Sequence, residues 1–233
     1  MSSPRPVALV TGASQGIGAS IREALERQAW RVIGASRSPR QPSDIAMDIR
    51  DEASVARGFA QVVQENGRLD LLVNNASIVS QSRIEDCPLQ EWCDVIETNL
   101  TGTFLCCREA VRHFLRAGSG SIICISSIAG RGSSLTASEA YTCSKHAVIG
   151  LTKQLARRYA SSKIRVNCVA PSQTLTAMLR GSLPPDRLSQ IASANPMGRL
   201  AEPSEVAAAV AFLASPEASY INAAVIDVNG GAW

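Results

Sequence analysis

Histidine is almost missing from this chain. Only His113 and His146 are present, each alone on a helical pattern, which leaves little material for a histidine proton relay or a zinc site. Cysteine is not scarce at seven residues, yet no C-x-x-C pair and no neighbouring histidine completes a metal-binding set. These thiols read as reduced and buried. Long apolar runs are lacking too, since the longest, Val206 to Ala214, falls far short of the ~18 residues that a membrane span needs. The start, Met-Ser-Ser-Pro-Arg-Pro ahead of four apolar residues, has no secretory hydrophobic stretch, so a cytoplasmic location is expected. Nor is there a block of like charge: 23 basic and 20 acidic residues are dispersed and leave +3. Neither nucleic acid nor a membrane is indicated as a partner.

What is there is an ordinary globular composition, 45% apolar and 18% charged over 233 residues, enough for one large domain. Apolar strand-like runs alternate with helical periodicity along the whole length. Val7 to Val10 run into Thr11-Gly12-Ala13-Ser14-Gln15-Gly16-Ile17-Gly18, and a helical pattern through Ile21 and Leu25 follows. Strand, glycine-rich turn and helix in this order suit a dinucleotide, because glycines let the backbone approach the ligand and free N–H groups at a helix start attract a pyrophosphate. The spacing is G-x-x-x-G-x-G.

Arg31 to Ala35 reads as a second strand ending in Ser36-Arg37-Ser38. An acidic residue at that point would accept from the ribose hydroxyls of NAD, whereas an arginine suits the 2′-phosphate of NADP. Arg37 is there, and no carboxylate follows before Asp44, so NADP(H) is expected in preference to NAD(H). The proline-broken stretch 38–43 is too short for a crossover helix. A third strand, Ile45 to Met47, ends at Asp48, and a helix from Glu52 with Val55, Phe59, Val62 and Val63 on one face stops at Asn66-Gly67. Leu69 to Val73 deliver Asn74-Asn75-Ala76-Ser77. A further helix begins near Pro88, with Trp92, Val95 and Ile96 packing inward, and carries Asn99 in mid-helix.

Ile122 to Ile125 form a fifth strand ending in Ser126-Ser127, and the next helix carries Tyr141 and Lys145, with Ala147, Val148, Leu151 and Leu155 as its apolar face. Residues four apart share a helix face, and an ammonium held beside a phenol favours its phenolate. Tyr159 and Lys163 have the same spacing but straddle the helix end and the strand Ile164 to Val169. That second pair therefore reads as surface chemistry. A polar segment over 172–197, with a short helix from Pro185 to Ser193, has the composition of a substrate-covering lid. A helix from Pro203 to Leu213 precedes a last strand, Val225 to Val228.

Alternation on this scale predicts α/β architecture, a single Rossmann-type doubly wound domain over 1–233 with a seven-stranded parallel sheet and helices on both faces. Small or polar residues follow strand after strand and would gather at the carboxyl edge, where such sheets bind ligands.

These motifs together resemble the short-chain dehydrogenase/reductase family over nearly the full length. They are T-G-A-S-Q-G-I-G at 11–18, N-N-A at 74–76, N-L-T-G-T-F at 99–104, I-S-S-I-A-G at 125–130, Y-T-C-S-K at 141–145 and N-C-V-A-P at 167–171. The resemblance implies a catalytic tetrad of Asn99, Ser127, Tyr141 and Lys145. It implies cofactor contacts from Gly12, Ser14, Gly16, Ile17, Arg37, Asp48, Asn75, Tyr141, Lys145 and Thr176, no metal, and a homotetramer or homodimer. The implied activity is hydride transfer to a carbonyl, 3-oxoacyl-type or small-molecule ketone, the alternatives being an NAD-dependent alcohol, diol or sugar dehydrogenase and a non-catalytic cofactor-binding sensor. Three positions depart from the family: Ser77 and Ser172 stand where glycines are usual, and Asn229 where aspartate is. If either serine needed positive φ it would be strained.

Overall fold

The computed structural model describes residues 5–134, 136–177, 179 and 184–232. Seven strands form one parallel sheet: β1 (Val7–Thr11), β2 (Arg31–Ser36), β3 (Ile45–Ala46), β4 (Leu71–Asn74), β5 (Gly120–Ile125), β6 (Ile164–Pro171) and β7 (Val225–Val228). Their order is β3-β2-β1-β4-β5-β6-β7. The direction of winding reverses between β1 and β4, and that reversal opens a crevice at the carboxyl edge. The central strands are buried on both faces, as their unbroken apolar sequences require.

Helices α1 (Gly16–Arg27) and α7 (Pro203–Ala214) cover one face, packing Ile21, Leu25, Val206 and Val210 against Val10, Val73 and Ile123. The other face holds α2 (Glu52–Asn66), α4 (Gly102–Ala117) and α5 (Glu139–Tyr159). Phe59, Phe114 and Val148 pack there against Leu9, Leu72 and Ile122. Asp51 caps α2 by accepting from Ala53 N, and Gly67 ends it at φ 72°, the left-handed position glycine takes without penalty. No helix forms between β2 and β3. Among the described residues, no helix is long and apolar enough to cross a membrane.

Three details differ from the sequence reading. Helix α3 (Leu89–Ile96) buries Val95 but leaves Trp92 and Ile96 half-exposed. It continues without a break into a π-helical turn, Glu97–Thr101, and then α4, so Asn99 sits in a π turn instead of a regular helix. The buried face of α5 runs through Ala140, Ser144, Lys145, Val148, Ile149, Thr152 and Ala156, while Ala147, Leu151 and Leu155 are half-exposed. That helix has two apolar faces, and periodicity alone does not say which one meets the sheet. Lys163 takes φ 58° beyond a 3₁₀ turn, so Tyr159 and Lys163 do not share a helix face. The short helix expected near Pro185 is present as α6 (Pro185–Ala194), with no buried residue. Residues 178 and 180–183 of the expected lid lie outside the described residues.

The turn entering α7 carries an ion pair with a consequence for acid stability. Arg199 donates from Nη1 and Nη2 to the Glu205 carboxylate at 2.8 and 2.7 Å, and Glu202 N donates to the same group at 2.8 Å. The Arg199 guanidinium pulls the Glu205 carboxyl down to about 2, against 4.5 for the free group. A depressed folded-state value means stability present above 4.5 and lost as pH falls toward 2. Glu205→Gln is expected to lower the urea midpoint at neutral pH, the gap from the parent closing between about pH 4.5 and 2; a gap independent of pH would refute the ion-pair account.

Candidate active site

A cleft of about 740 Å³ opens at the carboxyl edge of the sheet. The site residues expected from the resemblance line it: Gly12, Ser14, Gly16, Ile17, Arg37, Asp48, Asn75, Ser127, Tyr141, Lys145 and Thr176. Asn99 is the exception and lies behind the wall, 1% exposed.

The glycine-rich floor is built by close approach. Gly12 and Gly16 take φ of 67° and 56°, the region where a side chain is strained. A Cβ at Gly18 would overlap the Gly12 carbonyl, and one at Gly16 would meet Thr176 Cγ2 at 3.2 Å. Asn75 locks this floor to β4: its Nδ2 donates to the carbonyls of Thr11 and Gly12 at 3.0 and 3.1 Å. Thr11 Oγ1 in turn accepts from Asn75 N and Ala76 N at 3.0 and 3.1 Å. The N-N-A and T-G motifs, sixty-odd residues apart, are thus one hydrogen-bonded unit.

At one end of the cleft Arg37 and Arg40 lie exposed beside β2. Asp48 lines the same end and is gripped by Arg50, which donates from Nε, Nη2 and its own backbone N at 3.1, 2.8 and 3.0 Å. The Arg50 hydrogen bonds hold the Asp48 carboxyl below the usual carboxylate range against a partial burial that raises it. No carboxylate other than Asp44 lies between β2 and β3.

At the other end stand Ser127, Tyr141 and Lys145. Ser138 caps α5 by accepting from Tyr141 N at 3.2 Å, which fixes the first turn and hence the tyrosine. Ser138 Oγ also bonds Ser80 Oγ, and Ser138 N donates to Ser80 O at 2.8 Å, tying the helix start to the loop after β4. One turn along, Lys145 is 3% exposed, with its ammonium 5.4 Å from the centroid of the Tyr141 ring. The ammonium donates to Ile125 O at 3.0 Å, and with three donors in all it keeps capacity for a ligand. Ser126 Oγ donates to Lys145 O at 2.9 Å. Ser127 follows in extended backbone at φ −164° and its Oγ accepts from Ala129 N at 3.2 Å, so the hydroxyl hydrogen is free to turn to a ligand.

The Asn99 carboxamide is fully engaged: Nδ2 donates to Ile78 O at 2.9 Å and Ser144 Oγ at 3.1 Å, and Oδ1 accepts from Ile78 N at 2.8 Å. The side chain therefore anchors the loop after β4 to α5. Its main-chain carbonyl accepts from Thr103 Oγ1 at 2.7 Å and has a second lone pair.

Ser77 and Ser172 are unstrained. Neither takes positive φ; the non-glycine residues that do are Ala29, Lys163 and Ala223 among those described. Asn229 closes the last turn by accepting from Gly231 N at 3.0 Å and donating to Ala232 O at 2.8 Å. All seven cysteines are free thiols. Burial pushes Cys168 up to about 12 and Cys106 up as well, which makes both inert. His113 is a structural acceptor for Leu69 N at 3.3 Å, with burial lowering its pKa.

Sequence reasoning missed Ser80, Ser138 and Ser144, and the bond by which Ser126 holds the Lys145 carbonyl. Only Ser138 carried a visible signal, a serine at the cap position directly before the helix.

A family description, "Enoyl-(Acyl carrier protein) reductase", matches residues 12–232. Among curated relatives, the cis-4-hydroxycyclohexanecarboxylate dehydrogenase of Sinomonas cyclohexanicum is 42% identical over 97% of this chain and 95% of its own. The 3-oxoacyl-[acyl-carrier-protein] reductase of Vibrio cholerae is 37% identical over 97% of each. Among solved structures, an actinorhodin polyketide ketoreductase with NADPH superposes with a TM-score of 0.92 at 31% identity, covering 99% of this chain and 98% of that one. The chain belongs to the short-chain dehydrogenase/reductase family of oxidoreductases.

Proposed function

We propose that the protein is a cytoplasmic NADP(H)-dependent oxidoreductase that interconverts a carbonyl and a secondary alcohol, with Tyr141 as general acid and base. One observation carries the reading: Tyr141, Lys145 and Ser127 share a single cleft with a glycine cradle that leaves no room for Cβ atoms and with arginines at the end of β2. The cradle suits a pyrophosphate, and Arg37 and Arg40 suit a 2′-phosphate better than a bare ribose. The relative solved with NADPH supports that choice. Gly12, Ser14, Gly16, Ile17 and Asn75 would line the dinucleotide, Asp48 the adenine, and Lys145 and Thr176 the nicotinamide end.

NADP(H), when bound, supplies or accepts the hydride. Ser127 orients the substrate oxygen through its free hydroxyl hydrogen. Tyr141 gives that oxygen a proton in reduction and takes one in oxidation, and the Lys145 ammonium, 5.4 Å from the centroid of its ring, stands beside it as the neighbouring cation. The main-chain carbonyl of Asn99, set by the π turn, holds a water that links Lys145 to solvent. The substrate is a 3-oxoacyl-type or small-molecule ketone, covered by the segment 172–197.

A turnover screen with NADPH and NADH against acyl thioesters, cyclic ketones and sugars tests this. NADPH-dependent reduction of at least one class is expected; NADPH binding with no turnover on any would leave a cofactor-sensing role instead. The half-exposed apolar faces of α4 and α5, including Phe104, Leu151 and Leu155, support a homodimer or homotetramer. Light scattering should return twice or four times the chain mass of 24.7 kDa, and a monomer would refute the pairing.

A further inference from the structure

The connection between β2 and β3 is held by a buried ion pair that the chemistry of the cleft does not use. Arg22 projects from the inward face of α1 and is 3% exposed, and its guanidinium pairs with Asp44, whose side chain is equally buried. Nη1 of Arg22 donates to Gln41 Oε1 at 2.6 Å. The Asp44 carboxylate also accepts from Gly34 N at 3.1 Å and from Gln41 N at 3.3 Å. Asp44 N donates back to Gln41 O at 3.0 Å, closing a turn. The register pairs Ala35 with Ile45, so Asp44 sits beside Gly34, where the pairing of β2 with β3 begins. A Cβ at Gly34 would run into the Arg22 guanidinium; glycine there is what admits an arginine beneath the strand.

Stability alone is a poor account of this pair. Desolvating two charges offsets much of their attraction, apolar residues of similar size do as well or better, and Arg22 Nε is buried without a partner. What the pair does specify is where the chain between β2 and β3 runs. That stretch carries Arg37 and Arg40, both on the cleft, and it has no helix of its own to position them.

We propose that Arg22, Gln41 and Asp44 are positioning residues for recognition of an adenosine 2′-phosphate. They pin the short connection so that Arg37 and Arg40 stand at the rim of the cleft. They also keep its one carboxylate turned inward, where it neither repels a phosphate nor accepts from ribose hydroxyls. The proposal rests on NADP(H) as the cofactor.

The test compares the parent with Asp44→Asn, the double variant Arg22→Met/Asp44→Leu, and Arg37→Ala. KM and kcat are measured with NADPH and NADH, together with thermal midpoints and the binding of 2′,5′-ADP. Asp44→Asn is expected to raise the KM for NADPH about tenfold and to weaken 2′,5′-ADP to match, with the KM for NADH and both kcat values within about twofold of the parent. The double variant should regain the parent's midpoint and keep the NADPH defect. Equal changes for the two cofactors, or a defect that vanishes once the midpoint is restored, would mean a merely structural role and overturn the proposal. If Arg37→Ala loses NADPH affinity while Asp44→Asn does not, the pinning is wrong and the cofactor assignment stands. A parent with no preference for NADPH, indifferent to Arg37→Ala, overturns both.

Discussion

Tyr141→Phe is expected to bind NADPH as the parent does and to lose about 10²- to 10⁴-fold in kcat, the range that a positioned proton donor contributes. That is about 3–5 kcal/mol of barrier carried by one oxygen atom. The fold should not suffer. Tyr141 is half-exposed on the cleft, and its helix is started by Ser138 through the Tyr141 backbone N–H, which phenylalanine retains. The Lys145 ammonium keeps its bond to Ile125 O and stays beside the ring. Fluorescence titration with NADPH and single-turnover kinetics separate the two quantities. Parent-like turnover in this variant would remove Tyr141 from the chemistry and with it the proposed mechanism.

Gly18→Ala should fail in the opposite way, with cofactor binding lost ahead of chemistry. A methyl group there overlaps the Gly12 carbonyl and lies 2.6 Å from Asn75 Nδ2, and both obstacles are backbone or backbone-anchored, so neither can swing aside. Either α1 moves out or the Asn75 bonds to Thr11 and Gly12 break. Overpacking of this kind costs about 1–3 kcal/mol of stability, and displacement of a binding loop by ~1 Å costs about 10²-fold in function. Thermal melts and NADPH titration read both. Unchanged affinity would mean that the cradle tolerates a wider loop than the proposed pyrophosphate contact requires.

The two variants draw on features of unequal legibility. The strand–glycine–helix unit could be read because each residue type there has one dominant reason to be present: apolar residues for a buried strand, glycines for positive φ and close approach. The parallel sheet was equally legible, since strands alternating with helices require crossovers; the order of its strands was not, because crossover hand alone leaves several orders open. Arg22 was not legible in the same way. A charge on a helix usually reads as solvated, and only its place among Gly18, Ile21 and Leu25 on the inward face marks it as buried. The π turn at Asn99 was hidden as well, because a shift from i+4 to i+5 bonding follows from packing between α3, α5 and the loop at Ile78, not from local preference. Ser77 and Ser172 would be strained only at positive φ, and neither takes it. For α5, two apolar stripes left the choice of inward face to the tertiary structure.

The sheet order also sets a timetable. β1 is an inner strand, third in the sheet order, and its partner toward the centre is β4, with Ala8 opposite Leu71. At about 5–20 residues per second of synthesis, β1 waits roughly 3–13 s for that partner to follow. β1 has β2 for company in the interval, yet its other edge stays bare, an apolar strand with open N–H and C=O groups. Parallel pairings across such separations close slowly. The nascent chain therefore spends seconds with its most buried strand exposed, and the same reversal of winding that creates the cofactor crevice leaves the growing chain open to chaperones or to another copy of itself.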